Sequence, residues 1–242
     1  MRIILTFTLL WLCLPGCGSN RDFVTEDRLA QGLVIILPGI EGESPFNRDI
    51  RSGLLDADVP GAMMIYHWGR PIPVAGPLIN QMDVLGNRVE GRRIAQIVVD
   101  YQDSHPGKPV HIVGHSGGGG VAVFAAEAMP DERKVDGLVL ISASISADYD
   151  LNKAISHCKS GIVNFYCKSD VGMLVIGTTI AGNVDGVHGP SAGQKEFQGA
   201  FDHLWQREVC HEGEDAHTAG TRASVVTSDV APWVLKSQWP AK

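Results

Sequence analysis

Short uninterrupted runs of apolar residues alternate along the chain with longer polar or amphipathic stretches. A continuous apolar run bounded by glycine, proline or polar residues is typical of a strand that is buried on both faces of a sheet. Runs of this kind occupy residues 33–37, 62–66, 110–113, 138–141 and 162–166, and a weaker strand is predicted near 203–209.

The stretches between these runs have helical patterns. The clearest is 88–101, where apolar residues recur on one side of a helix, and the others are 44–57, 121–128, 150–157 and 230–235. Strands that alternate with helices predict right-handed crossovers and a mostly parallel sheet with helices on both faces. We therefore expect one α/β domain over 31–242, in which the apolar segment 173–181 is either helix or loop.

Composition agrees with a folded domain and excludes one class of partner. With 44% hydrophobic and 19% charged residues, the chain of 242 residues has enough apolar surface to fold. Its net charge of −7 provides no positive field for a phosphate backbone, so no nucleic acid is expected as a partner. The 28 glycines exceed the usual share of about 7%, and their placement is informative.

The N-terminus has the pattern of an export signal. Arg2 precedes an apolar run over 3–14, and this run covers only about 18 Å as a helix, short of the roughly 30 Å hydrocarbon core. The end of the run, Leu14-Pro15-Gly16-Cys17, resembles the lipobox of bacterial lipoproteins, which implies cleavage after residue 16 and acylation of Cys17. Residues 17–30 are then the lipidated cysteine and a polar linker. An ordinary secretory signal with an incidental Cys17 is the alternative.

The absence of aspartate after Cys17 bears on localisation. Gly18 stands where the lipoprotein pattern has an inner-membrane retention aspartate. The resemblance therefore implies a protein of the cell envelope, attached to the membrane through an N-terminal lipid. In a Gram-negative organism it implies the outer membrane, facing the periplasm.

A glycine-rich segment contains the candidate nucleophile. The strand at 110–113 leads directly into Gly114-His115-Ser116-Gly117-Gly118, and a helix follows. G-x-S-x-G between a strand and a helix is the pattern of a nucleophile elbow, a sharp turn that exposes a serine oxygen and leaves no room for flanking side chains. A passive serine in a glycine-rich turn is the alternative. A phosphate-binding loop is excluded, because no Gly-Lys-Ser/Thr or dinucleotide fingerprint follows.

With this elbow the chain resembles the α/β-hydrolase superfamily, especially its lipase- and esterase-like members. The resemblance covers nearly the whole chain after the signal and implies an oxyanion hole formed by the N–H groups of Gly117 and Ile40. Ile40 lies in the loop after the first strand, where Pro38 replaces the histidine usual in the superfamily. The stretch between 141 and 162 is too short for a large cap, so we expect an open, minimal domain, walled on one side by Trp68 and 71–77.

The superfamily order of serine, acid and histidine directs the choice of acid to residues after Ser116. Asp170 follows the strand at 162–166 after a short turn, which is the family's position for the acid. Asp185 and the pair Asp148 and Asp150 are alternatives.

The base is expected after the last strand. His217 lies in the loop before the closing helix, where the family has its catalytic histidine, and His211 is the alternative. The segment 210–217 also contains cysteine, histidine and acidic residues, but it lacks the spacing of a known metal site. We therefore expect no metal and no cofactor.

The cysteines divide between the lipid anchor and the envelope domain. Cys158 and Cys167 flank the same predicted strand from opposite ends and are too far apart to pair. Cys167 lies near the candidate acid and Cys210 in the loop of the candidate base. Our hypothesis is a Cys167–Cys210 disulfide with Cys158 free, and unpaired thiols are the alternative.

These expectations define a serine hydrolase. Ser116 attacks an acyl carbonyl, His217 accepts and returns its proton, and Asp170 orients the histidine. The predicted activity is cleavage of carboxylic esters, with a small-molecule or lipid ester as substrate. Thioesterase, amidase and acyltransferase activity remain alternatives, as does a non-catalytic lipoprotein that uses the fold for binding. The oligomeric state is left open.

Overall fold

A central sheet of six parallel strands organises the domain in a computed structural model that describes residues 20–70, 76–170, 182–210, 215–236 and 239–240. The strand order is β2-β1-β3-β4-β5-β6. The predicted strands are confirmed, with ends that differ by a residue or two. Their bounds are β1 Leu33–Leu37, β2 Ala62–Ile65, β3 Val110–His115, β4 Gly137–Ile141, β5 Ile162–Tyr166 and β6 Leu204–Glu208.

The helices follow the predicted alternation with different ends. They are α1 Glu26–Leu29, α2 Pro45–Asp56, α3 Gly76–Met82, α4 Val84–Ser104, α5 Gly117–Glu127, α6 Asn152–Ser156, α7 Ala223–Val225 and α8 Ala231–Leu235, and a π-helical segment, Val226–Val230, joins the last two. The prediction missed α1, α3 and α7. It also began α5 at Val121, because the preceding glycines are poor helix formers. Within the described ranges, no helix is both long and apolar enough to span a bilayer.

Alternate residues of β1 face two separate apolar layers. Ile35 packs in the layer formed with α4 and α5, which contribute Ile94 and Phe124. Ile36 packs in the opposite layer, with α2 and the C-terminal helices. Helices therefore cover both faces of the sheet, as predicted.

The order of the strands creates a crevice at the carboxyl ends of β1 and β3. β1 lies between β2 and β3, so the chain leaves β1 toward one side and returns to β3 on the other. The loops after β1 and β3 diverge at this point, and in open α/β sheets the resulting crevice at the carboxyl ends is where ligands bind. The loop after β1 contains Ile40, and Ser116 directly follows β3.

Residues 20–30, predicted as part of a linker, pack against the domain. The side chain of Asn20 exchanges two hydrogen bonds of 2.9 Å with the backbone of Ile65, and the carbonyl of Phe23 accepts one from Met63 N–H. The ring of Phe23 lies under the Arg51 guanidinium, and Leu29 is buried. Backbone groups and a few side chains of this segment therefore cover the open edge of β2.

Candidate active site

Ser116 occupies a strained turn between β3 and α5. Its backbone has φ 53° and ψ −123°, a left-handed conformation that costs about 1–3 kcal/mol for a residue other than glycine. The N–H of Ser116 donates to Ile141 O at 3.0 Å and its carbonyl accepts from Gly119 and Ser144, so neighbouring segments hold the turn. These contacts fix the hydroxyl at the mouth of the crevice.

The glycines around Ser116 are required by close packing. A Cβ on Gly114 would lie 2.5 Å from Gly118 O, and one on Gly118 would overlap the carbonyls of Leu37 and Pro38. A Cβ on Gly119 would lie 2.6 Å from the Cβ of Ala143. The excess of glycine in this segment therefore lets β1, β3 and α5 approach one another at the site.

Ser116, His217 and Asp170 form one chain of hydrogen bonds. Ser116 Oγ lies 3.0 Å from His217 Nε2, and His217 Nδ1 lies 2.8 Å from Asp170 Oδ2. All three side chains are buried. Because a carboxylate only accepts, Nδ1 carries the proton and Nε2 is free to accept the serine proton. This arrangement suits proton transfer away from the hydroxyl.

The loop that contains His217 is held from two sides. Asp215 Oδ1 accepts from the N–H of His217 at 3.1 Å, and His115 Nε2 lies 3.4 Å from the carbonyl of His217. Burial lowers the pKa of His115 to about 3, so its ring is neutral and adds no charge beside the candidate base. His115 is therefore a contact for the loop, a role that its position in the elbow did not reveal.

Asp170 lies in a turn secured by a disulfide. Its N–H donates to Cys167 O at 3.1 Å, and its carbonyl accepts from Gln194 Nε2 at 3.1 Å. The sulfurs of Cys167 and Cys210 are bonded, which joins this turn to the segment leading to His217. Cys158 is a free thiol, and burial raises its pKa to about 12.

The other candidate acids lie elsewhere. Asp185 accepts from the N–H of Ser146 at 3.3 Å, and Asp150 accepts from the N–H of Asn152 in α6. Asp148 N–H donates to Ser146 Oγ in the same loop.

His211 lies outside the described residues, as do 71–75 and 173–181. In the described part of the chain, no group of three His, Cys, Asp or Glu residues is arranged to hold a metal.

The loop after β1 lies over the start of α5 in a fixed orientation. The Pro38 carbonyl accepts from the buried Trp68 indole at 2.7 Å, and the Ile40 carbonyl accepts from Asn80 at 3.2 Å. The side chain of Ile40 also reaches to 2.7 Å from where a Cβ on Gly117 would stand. Within the described ranges neither Ile40 N–H nor Gly117 N–H has an acceptor. Both N–H groups are thus without a backbone acceptor in the described part of the chain.

Glu41 brings a carboxylate to the mouth of this crevice. Its Oε1 accepts from Ser44 Oγ at 3.1 Å, and its other oxygen lies over Gly39. Burial raises the pKa of Glu41 above its ordinary value, although the electrostatic interaction with His217 lowers it. The next acid in the loop, Glu43, is paired with Arg48 and His67, whereas Glu41 forms no ion pair with any described residue.

Solved structures share this architecture. Dienelactone hydrolase from Anabaena variabilis matches with a TM-score of 0.51 and 17% identity, over 85% of this chain and 86% of that chain. Lipase B from Aspergillus fumigatus matches with a TM-score of 0.52 and 14% identity, over 85% of this chain and 52% of the lipase. The chain has the α/β-hydrolase fold.

The predicted α/β-hydrolase fold class is thus confirmed. No family model matches the chain, and no curated protein matches it. At such identities the structural likeness establishes the fold and no more. The chemistry of this domain depends on its own residues.

Proposed function

We propose that this protein is a serine hydrolase that cleaves carboxylic esters through an acyl-enzyme intermediate. The hydrogen-bonded chain from Ser116 through His217 to Asp170 supports this proposal most strongly. A serine held at positive φ beside a buried histidine and a buried aspartate is costly for a purely structural role. The same arrangement provides a nucleophile, a general base and a group that stabilises the charged base.

Acylation starts when Ser116 Oγ attacks the ester carbonyl carbon and its proton passes to His217 Nε2. The carbonyl oxygen becomes an oxyanion, which the N–H groups of Gly117 and Ile40 stabilise. Removing one such donor typically costs about 2.7–4 kcal/mol of transition-state stabilisation. Collapse of the tetrahedral intermediate breaks the ester C–O bond, and the departing alkoxide takes the proton from His217.

Deacylation repeats these steps with water. His217 removes a proton from a water molecule, whose oxygen attacks the acyl carbonyl carbon on Ser116. The second tetrahedral intermediate releases the carboxylic acid, and the proton on His217 returns to Ser116 Oγ. Asp170 stabilises the protonated imidazole in both halves of the cycle.

We further propose that Cys17 anchors the domain to a membrane of the cell envelope. The pattern Leu14-Pro15-Gly16-Cys17 supports this step, and an acylated cysteine with more than one chain is a stable anchor. Replacement Cys17→Ser, followed by labelling with an alkyne analogue of palmitate, tests it. Label on wild type but not on the variant is expected, and equal absence of label contradicts the anchor.

A fluorophosphonate probe tests the proposed nucleophile directly. The probe phosphonylates serines that a neighbouring base activates, so wild type is expected to be labelled at Ser116. Ser116→Ala should not be labelled. Ser142→Ala serves as a matched control because Ser142 is also buried and also has a positive φ. Unlabelled wild type, or equal labelling of Ser116→Ala, contradicts the proposed function.

A further inference from the structure

An exposed apolar patch borders the crevice. Among the described residues, the large apolar side chains that are exposed lie mainly on α3 and the start of α4, and Leu85 is the most exposed of them at 78%. Leu85 and Val89 are one helical turn apart, as are Leu78 and Met82. Val187 is also exposed and follows Gly186, whose Cβ position would lie 3.0 Å from Val84 at the start of α4. We call these residues, with Val187, the apolar patch.

Contacts place this patch beside the candidate active site. Asn80, in α3, donates to the Ile40 carbonyl in the loop proposed to form the oxyanion hole. Tyr66 directly follows β2 and donates to Glu90 in α4 at 3.1 Å. α4 begins near the carboxyl ends of the strands and runs toward the start of β3. Its first turns therefore lie at the same end of the sheet as Ser116.

The N-terminal segment reaches the domain at this edge as well. Asn20 is hydrogen-bonded to Ile65, the last residue of β2. Only Gly18 and Ser19 separate Asn20 from Cys17, and three consecutive Cα steps span at most about 11 Å. An acylated Cys17 would therefore keep the carboxyl edge of the sheet close to the bilayer.

The chemistry of the patch suits a lipid surface. Its residues lie on helices and a short loop, and helical backbone groups are already hydrogen-bonded, so insertion into a lipid interface leaves few polar groups unpaired. The adjacent charges, Arg70 and Asp83, are paired at 2.7 Å. A lipid surface binds apolar side chains without specific hydrogen bonds, so it can cover side chains that are spread over two helices.

We infer that the apolar patch rests on the lipid surface to which Cys17 is attached, so that the crevice at Ser116 opens toward that surface. This inference rests on the proposed lipid anchor and ester hydrolase activity. It deepens them by assigning membrane-dissolved esters as the substrate class. The short tether and the exposed patch at one edge of the sheet are the two observations that carry it.

Photo-crosslinking of the full-length chain in envelope membranes tests the inference. The photoreactive residue p-benzoylphenylalanine replaces Leu85 in one variant and Asp131 in the control. Asp131 is exposed in the loop between α5 and β4, at the opposite edge of the sheet. The membranes carry an alkyne-bearing fatty acid, and after proteolysis a lipid adduct is scored only on the peptide that contains position 85 or 131, apart from the acylated Cys17 peptide. Fluorophosphonate labelling reports whether each variant folds and keeps its site.

The expected result is a lipid adduct at position 85 at least about tenfold stronger than at position 131. A cross-link from position 85 to a second copy or to another protein would overturn the inference, as would no adduct or equal adducts at both positions. Alkyne-palmitate labelling of Cys17 and fluorophosphonate labelling of Ser116 are read separately. Failure of the anchor or of the proposed activity is thereby distinguished from failure of the patch to meet lipid.

Discussion

The Cys167–Cys210 disulfide is expected to contribute both to stability and to the placement of the acid and base. The two cysteines are 43 residues apart in sequence. Closing a loop of this length in the unfolded chain corresponds to about 4 kcal/mol of stability. The double variant Cys167→Ser/Cys210→Ser should therefore lose about that amount, which is roughly a 10 °C lower Tm for a domain of this size.

The same variant should also lose activity, because the bridge joins the Asp170 turn to the segment before His217. Urea unfolding with linear extrapolation measures the stability, and ester hydrolysis at saturating substrate measures kcat. Reduced wild type should match the double variant, whereas reductant should leave the double variant unchanged. A stability loss below about 1 kcal/mol, a small fraction of the loop-closure value, together with an unchanged kcat, would refute the reasoning.

Three further predictions concern single side chains. Gly118→Ala should lower stability by roughly 3 kcal/mol or more in urea unfolding, because the added Cβ would meet backbone carbonyls. Gly107→Ala is the control. Its Cβ would lie in open space, and its positive φ should cost only about 1 kcal/mol. Asp170→Asn should lower kcat by roughly 10⁴-fold in an ester assay, and Asp185→Asn should leave kcat within about twofold. Glu41→Gln should reduce kcat/KM for acetylcholine about fivefold relative to its neutral isostere 3,3-dimethylbutyl acetate. Because the pKa of Glu41 is raised, this preference in wild type should be present at higher pH and lost as the pH falls through that pKa.

The sheet and the elbow were predictable because their signals are local. A strand buried on both faces requires a continuous apolar run, and 33–37 and 162–166 match β1 and β5 in full. The turn at Ser116 requires glycine on both sides, so the residue types reveal the backbone conformation. Asp170 and His217 were assigned through the resemblance to the superfamily, since nothing local to either residue indicates that they meet.

Features that depend on distant partners were not predictable. The segment 20–30 is polar in sequence, and its attachment to β2 depends on hydrogen bonds between Asn20 and Ile65 and between the Phe23 carbonyl and Met63 N–H, far along the chain. The prediction missed α3 for the same reason, because the buried Gln81 is satisfied by Ser144 and Gly182. The charge of Glu41 at the crevice likewise became visible only when the loop after β1 was placed beside His217.

The proposed role of Ser116 as the nucleophile of an ester hydrolase has a direct test. It is the pre-steady-state hydrolysis of a p-nitrophenyl ester by wild type and by Ser116→Ala, with mass analysis of the quenched protein. We expect hydrolysis by wild type, an acyl group on the peptide that contains Ser116, and loss of both in the variant. Equal turnover by Ser116→Ala, or an acyl group on a different residue, would contradict it.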